Sequence, residues 1–462
     1  MKSKVIPSSW MNQEGRRLDC GPYMSGGIEV KAIVEKLRTT KVLLKDVTLG
    51  GLDGIYHAGR ESRLWVSSLE YGVPFMSSSD ILLSDLNNLP LISKKQILRN
   101  PKFIIREGWI LITRSGSIGR MIYARKEMNG FACTEHVLRV IPDTERILPG
   151  YLYTYLNSKF GVPLVISGTY GSLIQSIEPH HLANIPVPRL GEKIENDIHK
   201  MLSEASEIRC NSNNTLRQAA DCFNKLISDI DLTQSSPKIS IISSSVIRKR
   251  FDAAFYDPVV TRIRNKIEEM PCKTIGEFCS RMFLPGIFKR IHTDDINYGA
   301  PYYSGASLFW LEPKPKSILS RKSTLFEDVK LERGTILVQA FGSDGGLIGR
   351  PVWVGSHLHG ATTTHMLIRL NTCDKTMSGY LFAFLLSEAG YKQIASLSYG
   401  GAIPHLDEKG IATVLIPLLP ENEMREISQQ VIKALDERDR ALSLELEARN
   451  LVEKTIEEAC HG

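Results

Sequence analysis

The chain contains an internal repeat, and this repeat constrains the fold more than any other feature of the sequence. Matching residues in the two halves lie 229 positions apart: His136 and His365, Tyr151 and Tyr380, Tyr170 and Tyr399, Glu192 and Glu421, and Ile198 and Ile427. Nearer the start, RLDCGPY from Arg17 aligns with RFDAAFY from Arg250 at an offset of 233. Small changes of offset are what loop insertions leave between matching elements. We therefore interpret the chain as two copies of one module.

Each copy shows the same plan, a mixed segment followed by a helix. β-Branched runs such as KFIIREGWILITR and VKLERGTILVQAF, punctuated by glycine and serine, predict an α/β domain with a twisted sheet. Apolar residues then recur three or four positions apart, from Ile194 to Ile227 in the first copy and from Ile427 to Ile456 in the second. The predicted fold class is α/β, with two duplicated α/β domains that are each followed by a long α-helix.

The two helices are predicted to pack against each other. Each has a narrow apolar stripe over about 40 residues and needs a partner, and an antiparallel coiled coil buries both stripes most simply. In the first helix RCNSNNT interrupts the apolar pattern, and between the copies the polar, serine-rich LTQSSPKISIISSSVIRKR predicts a linker. The predicted boundaries are a first domain at 1–190, a central helix at 191–232, a linker at 233–248, a second domain at 249–417 and a C-terminal helix at 418–462.

Composition excludes few classes of function. The formal charge of +6 over 462 residues is a mild basic excess that suits a nucleic-acid partner without requiring one. The eight cysteines form no C-x-x-C pair, so we interpret them as reduced thiols rather than metal ligands. The N-terminal sequence lacks the apolar core of a signal peptide, and the chain has no run of about 18 apolar residues. We therefore expect a cytoplasmic location.

Motifs that would indicate catalysis are missing from the sequence. It contains no G-x-x-x-x-G-K-[ST] phosphate loop, no G-x-G-x-x-G, no H-E-x-x-H, no G-x-S-x-G and no methyltransferase tetrapeptide of the N-P-P-Y kind. The pair His180-His181 and the stretch SHLHG, with His357 and His359, have no Cys or acidic companion at ligand spacing. We expect these histidines to be exposed or hydrogen-bonded, and we expect no metal site and no catalytic residue.

A similar turn occurs once in each copy. ILITRSGSIGR spans residues 110–120, ILVQAFGSDGGLIGR spans residues 336–350, and both end in Ile-Gly-Arg. A Gly/Ser turn lets backbone amides approach an anion, and the adjacent arginine supplies charge, which suits a DNA phosphate better than an acyl intermediate. The alternative is an ordinary hairpin turn, which commonly uses the same residues.

The sequence resembles the specificity subunit of type I restriction-modification systems. In the first half the resemblance rests on GWILITRSGSIGR, YLYTYLNSK and SGTYGSLIQSIEPHHLANIPVPRLGEKIENDI. In the second half it rests on GTILVQAFGSDGGLIGR, YLFAFLLSE and LSYGGAIPHLDEKGIATVLIPLLPENEMREI. The chain departs from the family's usual Glu-Gln at Glu192-Lys193 and Glu421-Asn422, which leaves open a classical type I system or a related methylation or phage-defence system.

The resemblance implies a non-catalytic reader of a bipartite, asymmetric DNA target, with one target-recognition domain for each half-site. It also implies two modification (methyltransferase) subunits as partners, which use S-adenosylmethionine for N6-adenine methylation, and restriction subunits that hydrolyse ATP in the full complex. No cofactor is expected in this chain, since S-adenosylmethionine, ATP and Mg would belong to the partner subunits. No membrane partner is expected.

Candidate DNA contacts follow from base chemistry, because Arg pairs with guanine and Asn or Gln with adenine. In the first domain the candidates are Arg60, Arg63, Arg114, Ser115, Ser117, Arg120, Tyr170, Ser172 and Gln175. In the second domain they are Lys289, Arg290, Gln339, Ser343, Asp344, Arg350, Tyr399 and His405. Two alternatives stay open at this point: a methyltransferase or nuclease with diverged motifs, and a protein-binding scaffold.

Overall fold

The computed structural model describes residues 3–13, 20–169, 175–232, 241–243, 247, 250–343, 345–401 and 403–461. It divides into two compact units, the first made of residues 1–210 and 440–462 and the second of residues 211–439. The first unit therefore combines two separate stretches of the sequence, and the boundaries between the units fall within the two long helices. In the part of the chain that the structure describes, no helix is long and apolar enough to cross a membrane.

The strands follow the same order in the two halves, and most of the helices also correspond. The helices of the first half are α1 Ser8–Gln13, α2 Gly21–Met24, α3 Gly27–Lys36, α4 Lys94–Arg99, α5 Pro149–Leu156, α6 Gly161–Ser167, α7 Pro179–Ala183 and α8 Glu192–Leu226. Its strands are β1 Lys41–Leu43, β2 Ile55–Tyr56, β3 Trp65–Val66, β4 Gly72–Met76, β5 Leu91–Ser93, β6 Ile110–Thr113, β7 Met121–Tyr123, β8 Ala132–Cys133, β9 Val137–Val140 and β10 Pro186–Pro188.

In the second half, helices again cover the ends and strands fill the middle. The helices are α9 Pro258–Glu268, α10 Ile275–Phe278, α11 Phe326–Val329, α12 Ser378–Leu386, α13 Glu388–Ala395, α14 Glu408–Ala412 and α15 Glu421–His461. The strands are β11 Cys272–Thr274, β12 Cys279–Phe283, β13 His292–Thr293, β14 Gly299–Tyr303, β15 Ser317–Ser320, β16 Ile336–Gln339, β17 Pro351–Trp353, β18 Thr362–Thr363, β19 Leu367–Thr372 and β20 Leu415–Pro417.

The strand pairing of one half repeats that of the other. The sheets β2-β9-β6-β7, β3-β5-β4-β8 and β1-β10 of the first half recur as β12-β19-β16-β17, β13-β15-β14-β18 and β11-β20 in the second. The register also repeats, since Leu111 faces Arg139 and Leu337 faces Arg369 across equivalent antiparallel strands. The predicted α/β fold class and its duplication are confirmed.

The repeated tyrosines fasten a helix to the strand that leads into each long helix. The Tyr151 hydroxyl, on α5, donates to the carbonyl of Pro188, and the Tyr380 hydroxyl, on α12, donates to the carbonyl of Pro417 at 2.8 Å. Both rings are fully buried. A buried phenol must find a hydrogen-bond partner, so this repeated residue type follows from the contact it makes.

The two long helices pass through the two units in opposite order. Helix α8 begins in the first unit and ends in the second, whereas α15 begins in the second unit and ends in the first. Within the first unit Arg209 pairs with Glu445 at 2.7 Å, and within the second Arg438 donates to the amide oxygen of Asn213. The predicted antiparallel order of the helices is confirmed.

The stretch RCNSNNT does not interrupt α8, contrary to the sequence interpretation. The helix runs continuously through residues 209–215, and Ser212 and Asn213 are buried. Asn213 receives the Arg438 guanidinium, so the buried face continues there with polar side chains that satisfy a charge. A pattern of apolar residues alone cannot reveal such a contact.

Phe223 on α8 is expected to be critical for the stability of the second unit. It is fully buried, and its ring lies edge-on to Tyr380 at 5.0 Å and Phe384 at 5.4 Å between ring centroids. Phe223→Ala should therefore lower the free energy of unfolding by about 3–5 kcal/mol, measured by chemical denaturation. The exposed Lys225→Ala on the same helix serves as control, and an equal loss in both variants would contradict this role.

Candidate nucleic-acid interface

In the first half, the Gly/Ser turn lies beside the segment that precedes α7. The amide of Ile177 donates to the carbonyl of Arg114 at 3.0 Å, and Ser115 pairs with Ser176 in an isolated antiparallel bridge. We name residues 114–120 and 175–177 the first loop pair. Gln175 is exposed within it, while Tyr170 and Ser172 lie outside the described residues.

The second half repeats this pairing with different side chains. The amide of Leu406 donates to the carbonyl of Ala340 at 2.8 Å, and Phe341 pairs with His405, their rings stacking at 5.7 Å with 12° between planes. Tyr399 and His405 also exchange backbone hydrogen bonds. We name residues 340–350 and 399–406, without the undescribed positions 344 and 402, the second loop pair. Asp344 thus lies outside the described residues.

The charge of Arg114 is balanced within the protein. Its Nε donates to the carbonyl of Ile177 at 3.1 Å, and its guanidinium forms an ion pair with Glu178. Glu178 also lies 3.7 Å from Nε2 of His57. Arg114 therefore holds the two segments of the first loop pair together.

The other first-half candidates differ in exposure. Ser115 is half-buried, with its Oγ 2.8 Å from Nδ1 of His136, and Ser117 is exposed. Arg120 is half-buried, and burial lowers its pKa. Arg60 is exposed in the connection before β3.

The Ile-Gly-Arg ending has a structural cause that is the same in both halves. Gly119 and Gly349 have φ values of +78° and +77°, where side chains with a Cβ are strained. A Cβ on Gly119 would also lie 2.8 Å from Ile166. The arginines that follow, Arg120 and Arg350, accept through their carbonyls from Thr113 and Gln339.

Second-half candidates divide into supporting and exposed residues. Gln339 is buried and donates to the carbonyl of Phe341 at 2.8 Å, and the Arg350 guanidinium lies 3.5 Å from the ring centre of Tyr391. Ser343 and Lys289 are exposed. Gln339 supports the loop from beneath, whereas Ser343 and Lys289 are open to an approaching ligand.

Arg250 is a loop-ordering residue that was missing from the sequence candidates. Its guanidinium donates to the carbonyls of Leu397 and Ser398 at 2.7 Å each and lies 5.5 Å from the Tyr399 ring centre. The Tyr399 hydroxyl donates to Asp407 at 3.0 Å. The RLD/RFD repeat was the available signal, although residues 17–19 of its first copy lie outside the described part.

Two buried arginines underlie the loop pairs. Arg139 is 0% and Arg369 is 2% exposed. Arg139 donates to four carbonyls, those of Thr134 and Val137 among them, and Arg369 donates to the carbonyls of Leu367 and Thr364. Burial lowers the pKa of both arginines, that of Arg369 to about 10, so Arg369 remains charged at neutral pH. They fix the turns that lead into β9 and β19.

Those turns correct the sequence alignment by one position. Since β8 and β9 match β18 and β19 at an offset of 230, His365 takes the place of Glu135, and Met366 takes that of His136. Backbone contacts agree, because the amide of Arg114 donates to His136 and the amide of Ala340 to Met366. The pairing of His136 with His365 at 229 is therefore wrong. Because both positions hold a histidine, the one-residue insertion that causes this shift cannot be seen in the sequence.

Three of the four histidines that the sequence singles out as possible metal ligands are engaged in hydrogen bonds, and the fourth, His180, is exposed. Nδ1 of His181 accepts from the amide of Glu178, Nδ1 of His357 is bonded to Asp439, and Nδ1 of His359 accepts from the amide of Arg333 at 3.3 Å. Within the described ranges no three His, Cys, Asp or Glu residues group as metal ligands would.

The chemistry available at the loop pairs is that of polar recognition. Ser115, His136 and Glu135 are linked, with Nε2 of His136 3.5 Å from Oε1 of Glu135, but the second half has Phe341 where the first has Ser115. Within the described residues, the second half therefore does not repeat the serine-histidine-glutamate arrangement of the first half. Both halves share exposed polar side chains, arginines and a rigid backbone frame. These features suit binding to an anionic polymer.

One part of the chain matches a known protein family. Residues 58–218 match the family model described as the type I restriction modification DNA specificity domain. The chain is similar to the type I restriction enzyme EcoBI specificity subunit of Escherichia coli, with 27% identity over 136 residues, which are 29% of this chain and 28% of that protein. The match thus spans little more than a quarter of the length of the curated relative.

Two solved structures are similar over most of the chain but at low identity. One is the S subunit of a type I restriction-modification system from M. genitalium, with 13% identity, coverage of 92% of this chain and 96% of that one, and a TM-score of 0.36. The other is the HsdS subunit from Thermoanaerobacter tengcongensis, with 14% identity, the same coverage of both chains and a TM-score of 0.27. At these scores the two likenesses support no further conclusion.

Proposed function

We propose that this chain, whose residues 58–218 match the family model of the type I restriction modification DNA specificity domain, is the non-catalytic DNA-sequence-specificity subunit of a type I restriction-modification complex or of a related methylation or phage-defence complex. Its target would be bipartite, with one half-site for each half of the chain. A cytoplasmic location suits this function.

The observation that carries the proposal is the repeated loop pair. Both halves bring the turn after the central strand, β6 or β16, against the segment before α7 or α14 through equivalent backbone hydrogen bonds. The frame is the same, yet the side chains on it differ, with Ser115 and Ser176 in one half and Phe341 and His405 in the other. A common frame with different side chains suits two readers of different half-sites.

The proposal leaves catalysis and cofactors to partner subunits. S-adenosylmethionine would be bound by the modification subunits, and ATP and Mg by the restriction subunits. What supports this division is the polar recognition chemistry of the loop pairs together with the absence of methyltransferase and nucleotide-hydrolysis motifs from the sequence.

Methylome sequencing tests the function directly. Deleting the gene for this chain should abolish adenine methylation at one bipartite motif, because the modification subunits would lose their reader, and re-expression should restore it. The purified chain alone should transfer no methyl group from S-adenosylmethionine to DNA. Transfer without partners would support the methyltransferase alternative. An unchanged methylome, together with no gel shift of DNA even with modification subunits present, would support the protein-binding scaffold.

Salt dependence tests the role of the arginines in the first loop pair. Arg114→Ala with Arg120→Ala should weaken binding to all DNA sequences and flatten the slope of log affinity against log salt, by up to about one unit per lost phosphate contact. Arg120→Ala alone should account for most of the change, because Glu178 already balances Arg114. The exposed Lys31→Ala on α3 is the charge control. An unaltered slope in the double variant would exclude phosphate contact here.

Exposed apolar side chains that recur in both halves support the binding of two copies of one protein partner. Three exposed positions recur at an offset of 227 beside the edge strands β3 and β13. They are Leu64, Leu69 and Tyr71 in the first half and Ile291, Ile296 and Tyr298 in the second, each 41–67% exposed. Exposed apolar clusters of this kind are typical of protein interfaces. We assign one modification subunit to each cluster.

Charged substitutions in the clusters should change the number of bound partners. Leu69→Asp with Tyr71→Asp, or Ile296→Asp with Tyr298→Asp, should each reduce the complex from two modification subunits to one, measured by native mass spectrometry. A charge placed at an apolar interface is costly to desolvate. Leu49→Asp, at an exposed leucine whose amide donates to the carbonyl of Ile141, should retain both copies. Retention of two copies in both double variants would exclude these clusters as the docking surface.

A further inference from the structure

Arg63 and Arg290 occupy equivalent positions in the two halves. Each precedes an edge strand, β3 or β13, by two residues, and each guanidinium stacks on an aromatic ring of the inner strand. The Cζ of Arg63 lies 5.2 Å from the ring centre of Phe75, and that of Arg290 lies 5.7 Å from the ring centre of Tyr302. Phe75 and Tyr302 are the fourth residues of β4 and β14, so the two pairs match at every position.

The residue that faces the guanidinium differs in charge. Arg63 forms an ion pair with Glu135 and donates to Thr134 at 3.1 Å. Arg290 instead lies 3.4 Å from Nδ1 of His365, the structural equivalent of Glu135. Within the described residues, no carboxylate pairs with Arg290.

The ionisation of these two facing residues keeps that difference at neutral pH. Burial raises the pKa of Glu135, but hydrogen bonds from its own amide and from Thr134, together with the charge of Arg63, bring the pKa below its usual value. Glu135 is therefore ionised. Burial, followed by the charges of Arg290 and Arg369, lowers the pKa of His365, so its imidazole is neutral. The first pair has no net charge, and the second has a charge of +1.

We infer that Arg290 reads a guanine in the half-site of the second domain, whereas Glu135 neutralises Arg63 and excludes it from the equivalent role. This inference rests on the proposed function. A guanine presents two acceptors in the major groove, which a guanidinium fork binds bidentately. A carboxylate at the same place would hold that fork and repel the polyanion.

The surroundings of Arg290 favour a base contact over a phosphate contact. Its guanidinium is oriented by two rings, with Phe288 at 5.8 Å in addition to Tyr302, while the residue itself is exposed. An oriented planar fork can bind the two acceptors of a guanine edge at once, whereas a flexible ammonium is sufficient for a phosphate. The adjacent exposed Lys289 supplies such an ammonium.

The first experiment uses the complex of this chain with its modification subunits. After the wild-type motif has been mapped, methylation rates are measured on duplexes in which each guanine of the motif is replaced by adenine in turn. At one guanine the wild type should discriminate by roughly 5- to 150-fold. Arg290→Ala and Arg290→Lys should both bring this ratio close to one, without altering discrimination in the other half-site.

The Arg290→Lys variant distinguishes a base contact from a phosphate contact, because lysine keeps the positive charge but lacks the planar guanidinium fork. Retained guanine discrimination in this variant, with an equal loss of affinity for all sequences in Arg290→Ala, would mean a phosphate contact and overturn the inference. An unaltered motif in Arg290→Ala would overturn it as well. If the wild-type complex neither binds nor methylates a bipartite target, the proposed function fails instead.

Exchanging the facing residue tests the role assigned to Glu135. His365→Glu should pair with Arg290 and reduce methylation of the target by roughly 5- to 150-fold, the size of one lost bidentate contact, whereas the neutral His365→Gln should not. Glu135→Gln should release Arg63 and alter only the half-site that Arg290 variants leave unchanged. Melting temperatures confirm folding, and the exposed Arg290 variants decide the question if His365→Glu unfolds. Equal activity of folded His365→Glu and His365→Gln would overturn the assigned role.

Discussion

Both cores depend on the sharing of the two long helices. The core of the first unit contains Ile198 from α8 together with Val452 and Ile456 from α15. The core of the second contains Phe223 from α8 and Val431 from α15. Isolated amphipathic helices are marginal in water, and their stability comes from burying the apolar face. Each helix therefore owes its stability to two domain cores, and each core is completed by a half of both helices.

The recognition surface follows from this arrangement through a short series of contacts. Tyr151 and Tyr380 attach the helices α5 and α12 to the strands that lead into α8 and α15. The central sheets rest on the same cores, and their buried arginines, Arg139 and Arg369, hold the turns before β9 and β19. The side chains that vary between the halves are then presented from loops that both halves frame with equivalent backbone hydrogen bonds. Such a division lets recognition change without a cost to the core.

The sequence predicted the duplication, the fold class and the helical pair, because periodicity and repeated residues report burial directly. It was wrong at RCNSNNT, where Asn213 continues the buried face by accepting from Arg438. It was also wrong by one position at His136 and His365. Side-chain partners were beyond its reach: Glu178 and Glu135 balance two candidate arginines only because distant segments meet. Which candidates contact DNA stays a prediction.

The shared helices also set an order of events during synthesis. The second core needs α8 residues that have already been made, so it can close as soon as α15 reaches Leu435. The first core waits for Val452 and Ile456, about 230 residues after α8, which at about 5–20 residues per second takes roughly 10 to 50 s. The half that leaves the ribosome first is thus the last to complete its core. Nascent chains stalled before residue 448 would expose unpaired apolar surface on the N-terminal half, which is where chaperones would bind them.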